Sequence, residues 1–263
     1  MSTSHGICRL SMVPVRNEPS DKSEMVTQLL FGDHYEQLQT DDGHKWARIR
    51  MHFDKYEGWI DLNQHTEITK EYFDQVNNSD YKICLDGTTS ILYKKHHINV
   101  VRGSILPIST SELFKIEEQL AFNGEAKSLS QKREYEFLRS TALDYLNTTY
   151  LWGGRSPFGI DCSGFTQIVF KICGYYLPRD ASFQINEGNP VEFSDHQPGD
   201  LAFFNNMDGK IAHVGILLEE NKIIHASGKV RIDVLSNSGI IDQVSGIKTH
   251  ALHSIKRILK EAL

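Results

Sequence analysis

Apolar and polar residues alternate in short runs over the first 65 residues, and helical spacing takes over only beyond Gly124. Val26-Thr27-Gln28-Leu29-Leu30-Phe31 is an apolar run closed by the turn pair Gly32-Asp33. Tyr35–Leu38 alternates up to Asp41-Asp42-Gly43, Trp46–Arg50 alternates again, and Tyr56-Glu57-Gly58-Trp59-Ile60 opens one more strand. Short strands at this spacing, without helical period, predict a small barrel over residues 1–65. Within 66–122, Tyr81–Leu85 and Ile98–Val101 read as strands, with Gly87 and Gly103 as turns. That stretch reads either as a second barrel of the same type or as a connector.

From residue 123 to 263 the pattern changes. Ser128 and Gln131 have the spacing of a capping box, and Tyr135, Leu138, Ala142 and Tyr145 recur at helical intervals, which predicts a helix over 129–147. A turn-rich segment, Trp152–Gly159, separates it from a second helix that begins near Cys162. Phe165, Ile168, Val169 and Ile172 fall at i, i+3, i+4 and i+7, and Gly174 is placed to end that helix. Beyond Pro198-Gly199 only strands are predicted, at 200–204, 212–219, 222–227, 230–235 and 253–259. Helices first and antiparallel strands after them define an α+β domain.

Composition narrows the function classes. Of 263 residues, 40% are apolar and 24% charged, an ordinary globular mixture that excludes a disordered chain or a disulfide scaffold. A formal net charge of −6 gives no general attraction to nucleic acid or anionic lipid, so neither is expected as a partner. No run of about 18 apolar residues is present, so no membrane span is expected. The first residues lack a basic region followed by an unbroken apolar stretch, so no secretory signal is expected. Cys8, Cys84, Cys162 and Cys173 are widely spaced without a CxxC pair, which fits free thiols in a reducing compartment and a cytoplasmic location.

The chemistry centres on Cys162. A thiol at the start of a helix meets the positive end of the helix dipole, which is expected to lower its pKa. A nucleophilic cysteine also needs a base. His213 and His225 flank the turn Glu219-Glu220-Asn221, and folding that hairpin puts His225 opposite residues 215–216. The two imidazoles are then neighbours if they share a face, which periodicity alone leaves open. A thiol, a base and an orienting third group form a papain-type arrangement that needs no cofactor. The bland alternatives are a buried structural cysteine and a pair of satisfied strand histidines. A zinc site built from Cys162, His213, His225 and Asp161 is a further alternative, disfavoured by its single thiol.

Taken together, Asp161-Cys162-Ser163-Gly164-Phe165, Leu177-Pro178-Arg179-Asp180-Ala181-Ser182, Pro198-Gly199-Asp200-Leu201 and Ala212-His213-Val214-Gly215-Ile216 resemble the NlpC/P60 cysteine peptidases, in the order that family has them. The resemblance covers about residues 130–260. It implies a papain-like fold, with Cys162 as nucleophile, His213 as base, His225 as third member and Tyr150 as an oxyanion ligand. The first 65 residues look like a bacterial SH3 domain, and Tyr56-Glu57-Gly58-Trp59 resembles the Tyr-x-Gly-Trp element of the dipeptidyl-peptidase VI subgroup. The fold expected is therefore an α+β papain-like domain at 123–263, preceded by one or two small all-β SH3-type barrels.

The subgroup resemblance implies hydrolysis of the γ-D-glutamyl–diamino acid bond in free L-Ala-γ-D-Glu-diamino acid peptides, as in murein peptide recycling. A free N-terminus presents an ammonium, and binding it needs an acceptor-rich pocket. Asp161, Ser163, Ser182, Tyr56 and Glu24 are the substrate-binding candidates by their match to that subgroup. Asp161 has a second reading as the helix N-cap. Arg179 and Asp180 are expected to pair with each other.

Overall fold

The computed structural model describes residues 4–109, 114–115 and 120–259. The chain divides into two compact units, Met1–Gln131 and Lys132–Leu263.

In the first unit a seven-stranded antiparallel sheet contains the predicted strands as Met25–Leu30, His34–Thr40, Trp46–Met51 and Glu57–Asp61. Ser4–Ile7, Met12–Arg16 and Glu67–Ile68 join it and were not predicted. Alternate residues turn inward, as the two-residue period of a strand requires. Val13, Val15, Leu29, Tyr35, Ala47, Ile49, Met51 and Ile60 form the resulting buried core. Within 66–122, the strand Glu67–Ile68 is followed by a helix, Lys70–Asn78, capped by the Thr69 side chain on the Tyr72 N–H. Strands Tyr81–Cys84, Thr88–Tyr93, His96–Val101 and Ile105–Ser109 follow. Parts of this stretch, 110–113 and 116–119, lie outside the described residues.

The helix predicted over 129–147 is shorter, Tyr135–Leu143. The capping box does not form. Ala126–Ser128 instead adds as a strand beside Tyr81–Cys84, and the Ser128 hydroxyl donates to Asp80. Pairing with a neighbouring strand satisfies more backbone groups than the isolated cap would.

The second helix runs from Cys162 to Ile172, and every residue in it is buried. A helix enclosed on all sides should be apolar on most faces, and this one is. Its C-terminus closes in a Schellman motif. The N–H of Gly174 (φ +84°) donates to Lys171 O, and the Tyr175 N–H donates to Phe170 O. Glycine takes this left-handed conformation without a Cβ penalty.

The strands that follow are Asn189–Val191, Leu201–Asn205, Ile211–Leu218, Lys222–Ser227, Lys229–Ser236, Gly239–Ile241 and Lys248–Arg257. They form one antiparallel sheet. Gly239–Ile241 pairs with both Lys229–Ser236 and Lys248–Arg257, and this closes the sheet into a small barrel. Its core contains Ala202, Phe204, Leu217, Ile223, Leu235, Ile240 and Ile255. Among the described residues no helix is long and apolar enough to cross a membrane.

Candidate active site

The site lies in the second unit, where the start of the buried helix meets the barrel. Asp161 is the N-cap: its Oδ1 accepts the Gly164 N–H at 2.7 Å, which fixes the first turn and with it Cys162. Arg179 forks onto the same carboxylate, Nη1 to Oδ1 at 3.0 Å and Nη2 to Oδ2 at 2.5 Å. Oδ2 also accepts the Gly153 N–H at 2.9 Å, which ties the glycine turn to the helix start. Arg179 Nη1 further donates to the Ser163 hydroxyl at 2.9 Å. The pair is buried, with side-chain exposures of 1% for Arg179 and 8% for Asp161. The guanidinium fork reaches Asp161, eighteen residues away, whose carboxylate is buried and has both oxygens satisfied by it. Asp161 thus acts as cap and as counter-ion to Arg179. Ser163 belongs to the same network.

Cys162 is buried, and its Sγ lies 4.0 Å from the carbonyl oxygen of Ala212, the residue before His213. Burial pushes the thiol up to about 12, helped by the charge on Asp161. The backbone N–H groups of Val214 and Ser163 and the charge of Arg179 oppose that rise without overcoming it. The lowered thiol pKa expected from the helix dipole is therefore not what the resting site has. Desolvation outweighs the partial charge at the helix start. Burial, followed by the neighbouring imidazoles, lowers His213 well below its ordinary value. Both shifts favour a neutral thiol beside a neutral imidazole.

The hairpin register is as the turn predicts: Gly215 stands opposite His225. Strand periodicity puts His213 on the same face as Leu217, His225 with Ile223, and Asp233 with Leu235. Leu217, Ile223 and Leu235 belong to the barrel core, so the three polar residues continue its interior face toward one end. There His213 Nε2 meets His225 Nδ1 at 2.8 Å. His225 Nε2 in turn meets Asp233 Oδ2 at 3.0 Å. The two imidazole nitrogens face each other at hydrogen-bond distance. Nδ1 of His213 is then the nitrogen available to the thiol.

Sequence reasoning missed two residues here. Asp233 lies in a predicted strand, but only its register opposite Ile223, two residues from His225, brings it to the site. His250 stacks on His213 with ring centroids 4.2 Å apart, and burial lowers its pKa to about 4. Its strand begins at Lys248, five residues before the predicted start.

Tyr150 is held in place by its N–H, which donates to Gly228 O at 2.9 Å. Its phenol is pushed up to about 12, chiefly by burial, so it stays protonated and able to donate. Tyr150, Ala212, His213, Ser227 and His250 line a pocket of about 480 Å³, together with Asn205. Ser182 is exposed on the short helix Ala181–Gln184. That helix is tied to the nucleophile helix by Gln184, which accepts from Thr166 Oγ1 at 2.7 Å and donates to Ser163 O at 2.9 Å. Tyr56 and Glu24 belong to the first unit. Tyr56 is half-buried against its barrel core, and Glu24 is exposed.

Both units of the chain resemble known proteins. Residues 147–249 match the NlpC/P60 family, and residues 15–64 match the bacterial dipeptidyl-peptidase SH3 domain. The chain is 32% identical to the gamma-D-glutamyl-L-lysine dipeptidyl-peptidase of Bacillus subtilis over 219 residues, covering 76% of this chain and 71% of that protein. It is 29% identical to dipeptidyl-peptidase 6 of Lysinibacillus sphaericus, covering 80% and 83%. A crystal structure of an NlpC/P60 family protein from Bacillus cereus superposes with a TM-score of 0.81 at 21% identity, over 97% of this chain and 100% of that one. The chain belongs to the NlpC/P60 family and is a cysteine peptidase with an N-terminal bacterial SH3 domain.

Proposed function

We propose that this peptidase hydrolyses the γ-D-glutamyl–diamino acid bond of peptides with a free N-terminal L-Ala, in murein peptide recycling in the cytoplasm. The observation that supports the chemistry is the bonded pair His213–His225, with Cys162 Sγ 4.0 Å from the carbonyl oxygen of the residue before His213. The substrate class is supported by relatives named gamma-D-glutamyl-L-lysine dipeptidyl-peptidase that align over most of the chain.

The steps follow from the geometry. His213 Nδ1 takes the proton of Cys162 as the sulfur attacks the amide carbon. Burial favours the neutral form of both groups, so we place this transfer with the attack rather than before it. We assign the developing oxyanion to the N–H groups at the helix start and to the Tyr150 hydroxyl, which stays protonated and can donate. His213 returns the proton to the leaving amine, and a thioester remains on Cys162. Water, deprotonated by His213, then attacks the thioester carbon, and the thiol is expelled with its proton restored.

The test is kcat/KM for L-Ala-γ-D-Glu-L-Lys against its N-acetylated form, and the same pair with diaminopimelate. A site that hydrogen-bonds an ammonium leaves polar groups unpaired when the amine is blocked, so the acetylated peptides should be cut about 10²-fold or more slowly. Equal rates on free and blocked peptides, or cleavage of intact peptidoglycan at a comparable rate, would overturn the recycling assignment.

A further inference from the structure

Resting on that cysteine-peptidase reading, we propose that Asp233 is a positioning residue that sets the direction of every proton along the line Asp233–His225–His213–Cys162.

Asp233 is 2% exposed and accepts on both oxygens. Oδ2 faces His225 Nε2 at 3.0 Å. Oδ1 receives Arg231 Nη2 at 2.8 Å and the backbone N–H of Gln243 at 3.0 Å. Burial pushes the carboxyl toward the neutral form, but the bonds from His225, Gln243 and Arg231 prevail and hold it below its ordinary value. Arg231 is itself anchored by Asp242, so the cation that balances Asp233 is fixed.

A carboxylate only accepts, so His225 must carry its proton on Nε2. Its Nδ1 is then bare and can only accept. His213 Nε2, 2.8 Å away, must therefore be the N–H donor. That leaves His213 Nδ1 bare, the one tautomer in which the nitrogen not bonded to His225 can take the Cys162 proton. Asp233 touches neither substrate nor sulfur, and acts through His225. The groups facing His225 are His213 on one neighbouring strand, Arg231 and Asp233 on the other, and the His250 ring at 5.9 Å. Among them Asp233 alone supplies an anionic acceptor.

An asparagine at 233 would reverse the line. Two donors, Arg231 and the Gln243 N–H, point at Oδ1, so the carbonyl oxygen of Asn must take that place. Its NH2 then faces His225 Nε2 and forces the proton onto Nδ1. His225 would donate to His213, His213 would be protonated on Nδ1, and no base would face the thiol. This yields an order that a merely structural role would not. Asp233→Asn preserves shape, whereas Asp233→Ala leaves a gap that water can fill without dictating a tautomer. The isosteric variant should be the slower enzyme.

The experiment combines imidazole 15N NMR of the native protein with kinetics. In the wild type, His225 should be Nε2-protonated and His213 Nε2-protonated at neutral pH. Asp233→Asn should invert the His225 tautomer and lower kcat by about 10²-fold or more, the effect expected when a buried Asp no longer sets a catalytic imidazole's tautomer. KM should change little. Asp233→Glu should recover part of kcat, and the Ala variant should fall between Asn and wild type. A wild-type His225 protonated on Nδ1, or a folded Asn variant with wild-type kcat, would overturn the proposal.

Discussion

Gly215 stands directly across the hairpin from His225, and no side chain fits between them. A Cβ added to Gly215 would lie 2.9 Å from the His225 Cβ and 2.7 Å from Ile223 Cδ1. The absent side chain is what lets His225 lean over its strand and bond His213. Gly215→Ala should displace the His225 backbone or ring by a few tenths of an ångström. Overpacking of this kind is expected to lower stability by about 1–3 kcal/mol. Loss of the 2.8 Å His213–His225 bond should lower kcat by about tenfold or more, because small misplacements of positioned groups have large kinetic effects. Stopped assays beside a thermal melt separate the two consequences. A folded variant with unchanged kcat would show that the close approach is dispensable.

Periodicity, turn residues and motif order made much of the peptidase unit legible beforehand: the buried helix from Cys162, its stop at Gly174, and the hairpin that pairs residue 225 with 215. These are local signals, written within a few residues of the element they specify. Relations across elements were not legible. Adjacency points Arg179 to Asp180, and nothing local signals its fork onto Asp161, eighteen residues away. Asp233 and His250 were missed because strand pairing, not strand identity, brings them to the site. At the thiol, burial opposes the helix dipole, and the dipole can be read from sequence whereas the depth of burial cannot.

The neutral resting pair makes a prediction for alkylation. With Cys162 pushed up to about 12, its reaction with iodoacetamide should be slow near neutrality and rise steadily with pH above 8. Cys8 and Cys84 are also pushed up to about 12 by burial, so labelling must be located by peptide mapping. A rate at Cys162 that is already at its plateau below pH 7 would show a preformed thiolate–imidazolium pair and reject the neutral one. Cys162→Ala should abolish turnover and leave the melting temperature near wild type. His213→Ala should lose about 10²–10⁴-fold in kcat, and His225→Ala less, since water can replace an orienting group more readily than the base.

Arg179 is the test of the helix start. Removing it as Arg179→Met strands the buried Asp161 carboxylate, and breaking a buried pair in this way lowers stability by about 3–5 kcal/mol. Because Asp161 caps the nucleophile helix, kcat should fall as well. Arg179→Lys offers one ammonium in place of a two-pronged fork and should lie between wild type and Met. The double variant Arg179→Met with Asp161→Asn should be more stable than Arg179→Met alone, since the stranded charge is gone. Chemical denaturation of the four proteins checks this order, and an unaltered midpoint for Arg179→Met would show that the ion pair contributes nothing.

His34 carries a prediction for the first unit. It is buried, stacks on His52 at 4.8 Å, and its Nε2 meets Asn77 Oδ1 at 2.5 Å. Burial, then the charge of His52, lowers its pKa from 6.5 to about 4, while Asn77 pulls weakly the other way. The unfolded chain therefore takes up a proton below about pH 6.5 that the folded unit refuses. The stability contributed by keeping His34 neutral is fully present above pH 6.5. It declines as pH falls from 6.5 toward 4, by roughly 3 kcal/mol at about 1.4 kcal/mol per unit, and below about 4 the loss levels off. His34→Gln can still donate to Asn77 and has no proton to gain. Its Tm should fall less than that of the wild type between pH 7 and pH 4, read from melts monitored by a probe in the first unit. Equal acid sensitivity in the two proteins would mean that His34 is not what couples this barrel to pH.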